Sequence, residues 1–365
     1  MRYLFYGAII LIFILILVII DQTFYWICRI FVHKHLANIL RICFDVSLVL
    51  IIGIPSIWGH YVTRFQMNVT HTDVVSPRWP AAYEGYKIAH LSDMHLDCFN
   101  TDRGKAFLDN MINEIGQQQP DIIVFTGDLV TTQSSEAEPF KEQLSRLAHI
   151  VDKAQSNDSV THYIPVYSVL GNHDYADYTN KSPKERLADV NHLCELMTDA
   201  GWTVLNNESI ELPTKQASAT DSTTTETISL IGVENIGEPP FSTYGDLTKA
   251  MRQAKGAAQI LLSHNPTHWR GEVLPNTGID LMLSGHTHAV QIQVGSWSPA
   301  KWKYAEWGGL YEASQIIEQD NTPLKATTPD HPQYLYVNTG IGGVGPRVRI
   351  GVRPELTLLT LTNKH

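Results

Sequence analysis

Aspartate, asparagine and histidine side chains in this sequence directly follow five short apolar segments. In the clearest case, Ile122–Asp128, an apolar run of strand length ends in Gly-Asp. The same order recurs at Asp93-Met94-His95, Gly171-Asn172-His173-Asp174, Ser263-His264 and Gly285-His286-Thr287-His288. If the apolar segments pair as strands with their ends on one side, these polar residues meet at a single point.

Carboxylates and imidazoles with one amide and no thiolate suit divalent ions such as Mn²⁺, Fe²⁺, Zn²⁺ or Mg²⁺. The candidate ligands are Asp93, His95, Asp128, Asn172, His264, His286 and His288. They are too many for one ion, but they suit two ions that share a bridging carboxylate. At a separation of about 3.5–4 Å, two ions let a bridging hydroxide attack phosphorus while both neutralise the developing charge. Each residue alone also has a structural explanation, since an Asp after a strand often caps a helix. The prediction therefore depends on the joint pattern.

Helical patterns alternate with the strands that must position these residues. Apolar residues recur at helical spacing in 107–115, 139–151 and 185–200. Such alternation predicts strands buried between layers of helices, an α/β (α+β) fold. The Ser/Thr-rich stretch Lys215–Thr227 is interpreted as a solvated loop.

The N-terminal region is apolar enough to enter a membrane. Tyr3–Ile20 carries no charge and approaches the roughly 20 residues that a spanning helix needs, and Val46–Trp58 is a shorter apolar stretch. We favour a hairpin of two transmembrane helices. The alternatives are an interfacial amphipathic helix at Phe24–Val32 and a signal peptide at the N-terminus.

The distribution of positive charge predicts how this hairpin is oriented in the membrane. Arg29, Lys34 and Arg41 lie between the apolar stretches, so the connecting loop should face the cytoplasm and the C-terminal region the extracytoplasmic side. Arg2 and Arg64 oppose this assignment.

After residue 64 the chain holds 22 Lys or Arg against 35 Asp or Glu. This acidic balance disfavours an extended nucleic-acid surface, which needs cationic contacts. The four cysteines show no metal-type spacing and do not settle the compartment.

The five motifs, in this order, resemble the calcineurin-like metallophosphoesterase superfamily over roughly Lys87–Leu361. The resemblance implies a four-layer α/β/β/α sandwich and two divalent metal ions. It also implies that Asp93, His95 and His288 hold one ion, that Asn172, His264 and His286 hold the other, and that Asp128 bridges them. His173 would protonate the leaving oxygen or stabilise the phosphoryl charge, and Asp174 would orient its imidazole.

Further stretches resemble the membrane-associated YkuE/YaeI-type branch, which includes enzymes similar to UDP-2,3-diacylglucosamine pyrophosphatases. They are Ser263–Pro266, Trp307–Tyr311 and Asn338–Gly343. The resemblance implies a membrane-anchored phosphoesterase that hydrolyses a phosphodiester or pyrophosphate bond of a lipid-linked substrate. A general phosphatase or nucleotide phosphodiesterase of soluble substrates is the alternative, and a non-catalytic binding module is a third.

This sequence departs from the family pattern at two places. Asp97 stands where the superfamily often has Gly, and Ala289-Val290 replace a common Gly-Gly. Asp97 would add negative charge near the ions, and the larger side chains at 289 and 290 would narrow the approach. Arg347 and Arg349 are candidate contacts for a substrate phosphate.

The expected organisation has three parts. Residues 1–64 form a membrane anchor with one or two transmembrane helices, 65–86 a linker with the first strand, and 87–365 the metallophosphoesterase domain. The aromatic stretch 297–311 has two interpretations. It forms a wall or lid for an acyl chain or sugar, or it is a loop packed down by its tryptophans.

Overall fold

The computed structural model describes residues 2–157, 159–214, 226–237, 242–320 and 331–363. Most of the Ser/Thr-rich stretch, residues 215–225, lies outside the described residues. The chain divides into two compact units, Met1–Gly59 and His60–His365, which are described separately.

The N-terminal unit is built from two long apolar helices, α1 (Arg2–Phe31) and α2 (Lys34–Tyr61). Residues 24–31, for which an interfacial helix was the alternative, continue α1 without a break. The windows Ile14–Phe31 and Lys34–Phe65 are long and apolar enough to cross a membrane. Arg41 of α2 pairs with Asp21 of α1, with Nε 2.6 Å from Oδ1, so these two opposite charges compensate each other.

The larger unit is organised around two six-stranded sheets, whose strand orders are β1-β12-β2-β3-β4-β5 and β10-β11-β9-β8-β7-β6. Within the described ranges the strands are β1 (Asn68–Val75), β2 (Tyr86–Leu91), β3 (Ile122–Phe125), β4 (Val166–Ser168), β5 (Thr203–Val204), β6 (Glu208–Glu211), β7 (Ile228–Gly232), β8 (Ala258–Leu262), β9 (Leu281–Ser284), β10 (Gly309–Glu312), β11 (Tyr334–Val337) and β12 (Glu355–Thr362). Residues 68–75, expected within a linker and first strand, form β1, which pairs in parallel with β12 at the edge of the first sheet.

Helices cover the outer faces of both sheets. They are α3 (Asp102–Gln118), α4 (Lys141–Ala148), α5 (Pro183–Asp199), α6 (Leu247–Ala250), α7 (Leu274–Asn276) and α8 (Ala313–Asp320). The helix predicted over 185–200 begins two residues earlier, because Ser182 and Glu185 form a capping box around Pro183.

Three buried clusters define the layers, because alternate residues of a strand face opposite sides of its sheet. Ile88 of β2 packs between the sheets with residues such as Ile260 of β8. Its neighbour Ala89 packs outward with α3, α4 and α5. On the far side, Met282 of β9 belongs to the cluster that includes residues of α6, α7 and α8. The predicted α/β/β/α sandwich is confirmed.

Parallel pairing places the motif-bearing strand ends together. Strands β2, β3 and β4 are parallel neighbours in the first sheet, and β8 and β9 are parallel neighbours in the second. At most two residues separate the end of each of these strands from one of the five motifs. The residues that follow them therefore emerge at the carboxyl edges of the two sheets.

Candidate metal centre

The seven candidate ligands form two groups at these strand ends. In the first, Asp93, His95 and His288 offer ligand atoms that all lie within 4.8 Å of one another. His288 Nε2 lies 3.2 Å from Asp93 Oδ1 and 3.2 Å from His95 Nε2. The second group consists of Asp128, His264 and His286, whose ligand atoms also lie within 4.8 Å of one another.

Asp128 lies between the two groups. Its Oδ2 is 3.1 Å from Nε2 of His264 in the second group and 3.7 Å from Nε2 of His95 in the first. The amide oxygen of Asn172 lies 3.1 Å from the same His264 nitrogen. The structure therefore brings all seven predicted residues together in two neighbouring groups, with Asp128 between them.

The arrangement of imidazole nitrogens fits bound cations. Nε2 of His95 faces Nε2 of His288, and Nε2 of His264 faces Nδ1 of His286, each pair at 3.2 Å. Two neutral ring nitrogens that both present lone pairs repel at this distance unless a cation or proton lies with them. The oxygen and nitrogen donors are those that suit Mn, Fe, Zn or Mg ions.

Several ligands have a left-handed backbone, in which φ is positive. The values are 52° at Asp93, 44° at His95, 60° at Asp128, 73° at His286 and 50° at His288. This conformation costs non-glycine residues roughly 1–2 kcal/mol each and is concentrated at functional sites. The fold thus tolerates strain in order to aim these side chains at one point.

Glycines in the motifs allow the strand ends to approach closely. A Cβ on Gly171 would lie 2.2 Å from Oδ1 of Asp128, and a Cβ on Gly285 would lie 2.2 Å from Oδ2 of Asp93. A side chain at either position would displace a candidate ligand. This explains the Gly in Gly-Asn-His-Asp and in Gly-His-x-His.

Burial and opposite charge set the protonation of the centre. Burial lowers the pKa of His286 to about 3 and holds that of His95 well below its ordinary value, so both rings are neutral at pH 7. At His264 burial also disfavours the charge, but the attraction of Asp128 outweighs it and raises the pKa to about 9. Asp128 remains ionised because the nearby histidines lower its pKa despite its burial.

His173 lies beside the ligand groups rather than within them. Its backbone N–H donates to Oδ1 of Asp128 at 2.8 Å, and its ring stacks on Tyr178 with centroids 4.4 Å apart. Nδ1 donates to the carbonyl oxygen of Thr131 at 2.7 Å. With Nδ1 protonated, Nε2 of the neutral ring keeps its lone pair and can take up or give a proton.

Comparison with known proteins identifies this arrangement. Residues 86–290 match the sequence model of the calcineurin-like phosphoesterases. The chain belongs to this family. The predictions of a calcineurin-like fold and of a metallophosphoesterase enzyme are thereby confirmed. Members of the family use a dinuclear metal centre, and the two ligand groups described above are the candidates for it here.

Relatives of this phosphoesterase include proteins named for a lipid-linked substrate or for a membrane. UDP-2,3-diacylglucosamine pyrophosphatase LpxG of Chlamydia trachomatis is 25% identical over 86% of this chain and 95% of the relative. A transmembrane protein with metallophosphoesterase domain from Bos taurus is 28% identical over 80% of this chain but only 56% of its own length. The uncharacterized metallophosphoesterase YkuE of Bacillus subtilis is 26% identical over 84% of this chain and 90% of the relative.

Asp174 does not orient the His173 imidazole of this phosphoesterase, contrary to the prediction. Its carboxylate accepts backbone N–H groups of Asp128 at 2.8 Å, Leu129 at 2.9 Å, Val130 at 3.2 Å and Gly171 at 2.9 Å. Asp174 therefore holds the loop that carries Asp128. The carbonyl of Thr131 takes the role that was expected of Asp174.

The two predicted phosphate-binding arginines differ in accessibility. Arg349 is buried, and its Nη2 donates to the carbonyls of Thr339, Gly340 and Gly342 at 2.7–3.0 Å. It holds the loop after β11 and is not available to a substrate, so this prediction is corrected. Arg347 is partly exposed, and its Nη2 donates to Oδ2 of Asp97 at 2.7 Å. Asp97 is therefore neutralised by Arg347.

Two residues that contact ligand histidines through their hydroxyl groups were not predicted from the sequence. Thr131 Oγ1 lies 3.2 Å from Nδ1 of His95 and donates its own proton to Asp97. The hydroxyl of Tyr304 lies 3.0 Å from Nε2 of His286, which leaves Nδ1 of that ring to face His264. Only the aromatic composition of residues 297–311 pointed towards Tyr304, and no local motif marked Thr131.

Proposed function

We propose that this protein is a membrane-anchored phosphoesterase that hydrolyses a phosphodiester or pyrophosphate bond in a lipid-linked substrate such as UDP-2,3-diacylglucosamine. Residues 1–64 form the anchor, with one or two transmembrane helices, and residues 87–365 form a catalytic domain on the extracytoplasmic side. The observation that carries the proposal is the approach of Asp128 to both ligand groups.

The proposed ligand sets follow the two groups. Asp93, His95 and His288 would hold one divalent ion, and Asn172, His264 and His286 would hold the other, with Asp128 shared. When bound, two such ions lower the pKa of water and neutralise the charge that develops on the phosphoryl oxygens. The oxygen and nitrogen donor set admits Mn, Fe, Zn or Mg.

The residues of the chain supply positioning and proton transfer. Thr131 fixes His173 in the tautomer with a proton on Nδ1. We assign proton transfer to Nε2, which first takes up a proton from solvent to give the imidazolium form and then passes that proton to the leaving oxygen, which must acquire one when the P–O bond breaks. The stacked Tyr178 ring holds the imidazole plane, and the four N–H bonds to Asp174 keep Asp128 in place.

Exposed apolar side chains in the segment that follows His288 in the sequence support a lipid-linked substrate. Val294 is 67% exposed, Trp297 42% and Trp302 81%, and all three lie between His288 and Tyr304, which contacts His286. Exposed apolar surface of this kind marks a place for a membrane or ligand. Since Trp302 is so exposed, the tryptophans do not simply pack this loop down, and a wall for acyl chains is the interpretation that we adopt.

The full chain in detergent micelles with Mn²⁺ would test the proposal. We expect turnover of UDP-2,3-diacylglucosamine, and Trp302→Ser should lower it about tenfold while turnover of soluble bis(4-nitrophenyl) phosphate is retained. Leu187→Ser on α5, where Leu187 is 62% exposed, is the matched control and should change neither rate. Equal losses on both substrates, or none on the lipid, would favour the soluble phosphodiesterase alternative.

Two further measurements address the rest of the proposal. A reporter fused to the C-terminus should be active only on the extracytoplasmic side. Metal analysis of the purified protein should give about two ions per chain. A content well below one ion would instead favour a non-catalytic binding module.

A further inference from the structure

A cavity of about 180 Å³ opens beside the metal centre. The candidate ligands Asn172 and His286 line it, together with His173. Because His173 gives its proton to the leaving oxygen in the proposed reaction, the group that departs with that oxygen should occupy this cavity. The lining of the cavity therefore bears on which departing groups the enzyme accepts.

Lys303 supplies the only lysine or arginine side chain to this lining among the described residues, and no described Asp or Glu lines it. Its Nζ lies over the ring of Tyr304, 5.0 Å from the ring centroid. Tyr304 is part of the same lining, and its hydroxyl lies 3.0 Å from Nε2 of His286. The ammonium group therefore stands beside the cavity, one aromatic ring away from a candidate metal ligand.

The ammonium of Lys303 is open to a ligand. The residue is exposed, and its Nζ forms neither an ion pair nor a hydrogen bond with any described residue. After residue 64 the chain holds 22 Lys or Arg against 35 Asp or Glu, so the charge of this region as a whole repels anions. A cation without a carboxylate partner, at the edge of a cavity in so acidic a domain, favours a negatively charged group at this position.

We propose that Lys303 binds the departing phosphate when the scissile bond is a phosphoric anhydride, and that it thereby makes the enzyme prefer anhydrides to simple phosphodiesters. This inference rests on the proposed phosphoesterase function and concerns the same site. An alcohol that departs from a phosphodiester carries no phosphate into the cavity. Lys303 consequently contributes much less to the hydrolysis of such an ester.

The anhydride is cleaved between one phosphorus and the bridging oxygen. Water adds to that phosphorus, and the bridging oxygen leaves with the electron pair as part of the second phosphate. One proton of the water stays on the first monophosphate and the other goes to solvent, while His173 gives the bridging oxygen a proton taken from solvent. The ammonium of Lys303 stabilises the negative charge that grows on the departing phosphate.

Two substrates would test the proposal on the Mn²⁺-loaded full chain. Symmetrical diphenyl diphosphate loses phenyl phosphate, whereas diphenyl phosphate loses phenol. Lys303→Gln should lower kcat/KM for the diphosphate about tenfold, because a charge-assisted contact to the departing group is lost. The same variant should change kcat/KM for diphenyl phosphate less than about twofold. Lys303→Arg, which keeps the charge, should retain most of the activity on the diphosphate.

Lys301→Gln is the matched control. Lys301 is also exposed and lies two residues earlier, but it does not line the cavity. This variant removes the same charge from the same segment and should change neither rate. Equal losses on both substrates in Lys303→Gln would show that the lysine only attracts anions in general, and unchanged rates would show that it has no role. Either result would overturn the proposal.

Binding separates this inference from the phosphoesterase proposal. In symmetrical diphenyl methylenediphosphonate a CH₂ group replaces the bridging oxygen, so calorimetric titration with it requires no turnover. The wild type should bind it about tenfold more tightly than Lys303→Gln does, and such a difference would support the role of Lys303 even if every ester resisted hydrolysis. Equal binding by the two proteins would overturn that role even if both esters were hydrolysed.

Discussion

The backbone carbonyl of Thr131 accepts a hydrogen bond from Nδ1 of His173 at 2.7 Å. The side chain of the same threonine lies 3.2 Å from Nδ1 of His95. Because the Thr131 hydroxyl donates to Asp97, it is an acceptor for His95. One buried residue thus fixes the tautomers of two imidazoles, and both rings keep a free lone pair on Nε2.

Removal of the Thr131 hydroxyl should weaken metal binding without disturbing His173. Thr131→Val keeps the carbonyl that holds His173 but loses the acceptor of His95. Loss of such a partner typically lowers metal affinity about 10–100-fold. Competition with a fluorescent chelator would measure the Mn²⁺ dissociation constant. Thr132→Val is the control, since the Thr132 hydroxyl binds Glu136 instead. Unchanged affinity in Thr131→Val would contradict the role of the hydroxyl.

His173→Ala should lower kcat while the metal content is retained, because the imidazole belongs to neither ligand group. Proton donation by a positioned side chain typically contributes about 10²–10⁴-fold. A poor alkoxide leaving group needs that proton more than 4-nitrophenolate does, so the loss should be larger for an alkyl ester. Rates with both leaving groups, together with metal analysis, would check this expectation. Asp128→Asn is the comparison and should lose metal as well as activity.

The ligands were predictable because each lies directly after a buried apolar strand. Parallel pairing of β2, β3 and β4, and of β8 with β9, then carries the strand ends to shared edges. Asp174 was misjudged because adjacency to His173 in the sequence suggested a side-chain contact. In the structure the turn at Asn172–Tyr175 directs the carboxylate towards backbone N–H groups instead. Such contacts depend on loop conformation, which hydrophobic patterning does not encode.

The buried guanidinium of Arg349 illustrates the same limit. Arg349 was predicted as a contact for a substrate phosphate, but the folded loop places backbone carbonyls around it. Burial lowers the pKa of Arg349 to about 10, which still leaves it charged at neutral pH. The neighbouring carbonyl oxygens compensate that charge. Sequence composition alone does not distinguish this structural arginine from a ligand-binding one.

Replacement of Val290 by glycine should stabilise the protein. Ala289 and Val290 stand where the family commonly has Gly-Gly, and their φ values are 51° and 50°. This conformation is unfavourable for a β-branched residue by roughly 1–2 kcal/mol, and Val290 is 49% exposed, so it contributes little packing. Allowing for the greater unfolded-state entropy of glycine, we expect a gain of about 0.5–1 kcal/mol.

Denaturant unfolding of the full chain in detergent would measure the change in Val290→Gly. Val294→Gly is the control, because Val294 is also exposed but its φ is not positive. That variant should be neutral or less stable. A loss of stability in Val290→Gly would show that packing of the valine outweighs its backbone strain.

Metal binding should release a proton from His264. In the metal-free protein Asp128 raises the pKa of His264 to about 9, above its ordinary value, despite opposing burial. The charged ring therefore stabilises the metal-free fold at low pH, and this contribution is lost as the pH rises towards 9. A metal ligand must be neutral, so apparent metal affinity should increase about tenfold per pH unit between pH 7 and 9.

The proton is best counted at pH 8. Burial and Asp128 raise the pKa of Asp174 to about 7, so that group is largely ionised at pH 8 while His264 remains protonated. Calorimetric titration of Mn²⁺ in HEPES and in Tris, which differ in ionisation enthalpy, should show release of at least one proton, because water bound to the ions has a lowered pKa and can add to the proton from His264. His264→Asn should release about one proton fewer than the wild type, whereas His162→Asn, an exposed residue outside both ligand groups, should release as many. Equal heats in the two buffers for the wild type would mean that His264 is neutral before the metal binds, and the attraction of Asp128 would then be weaker than its burial.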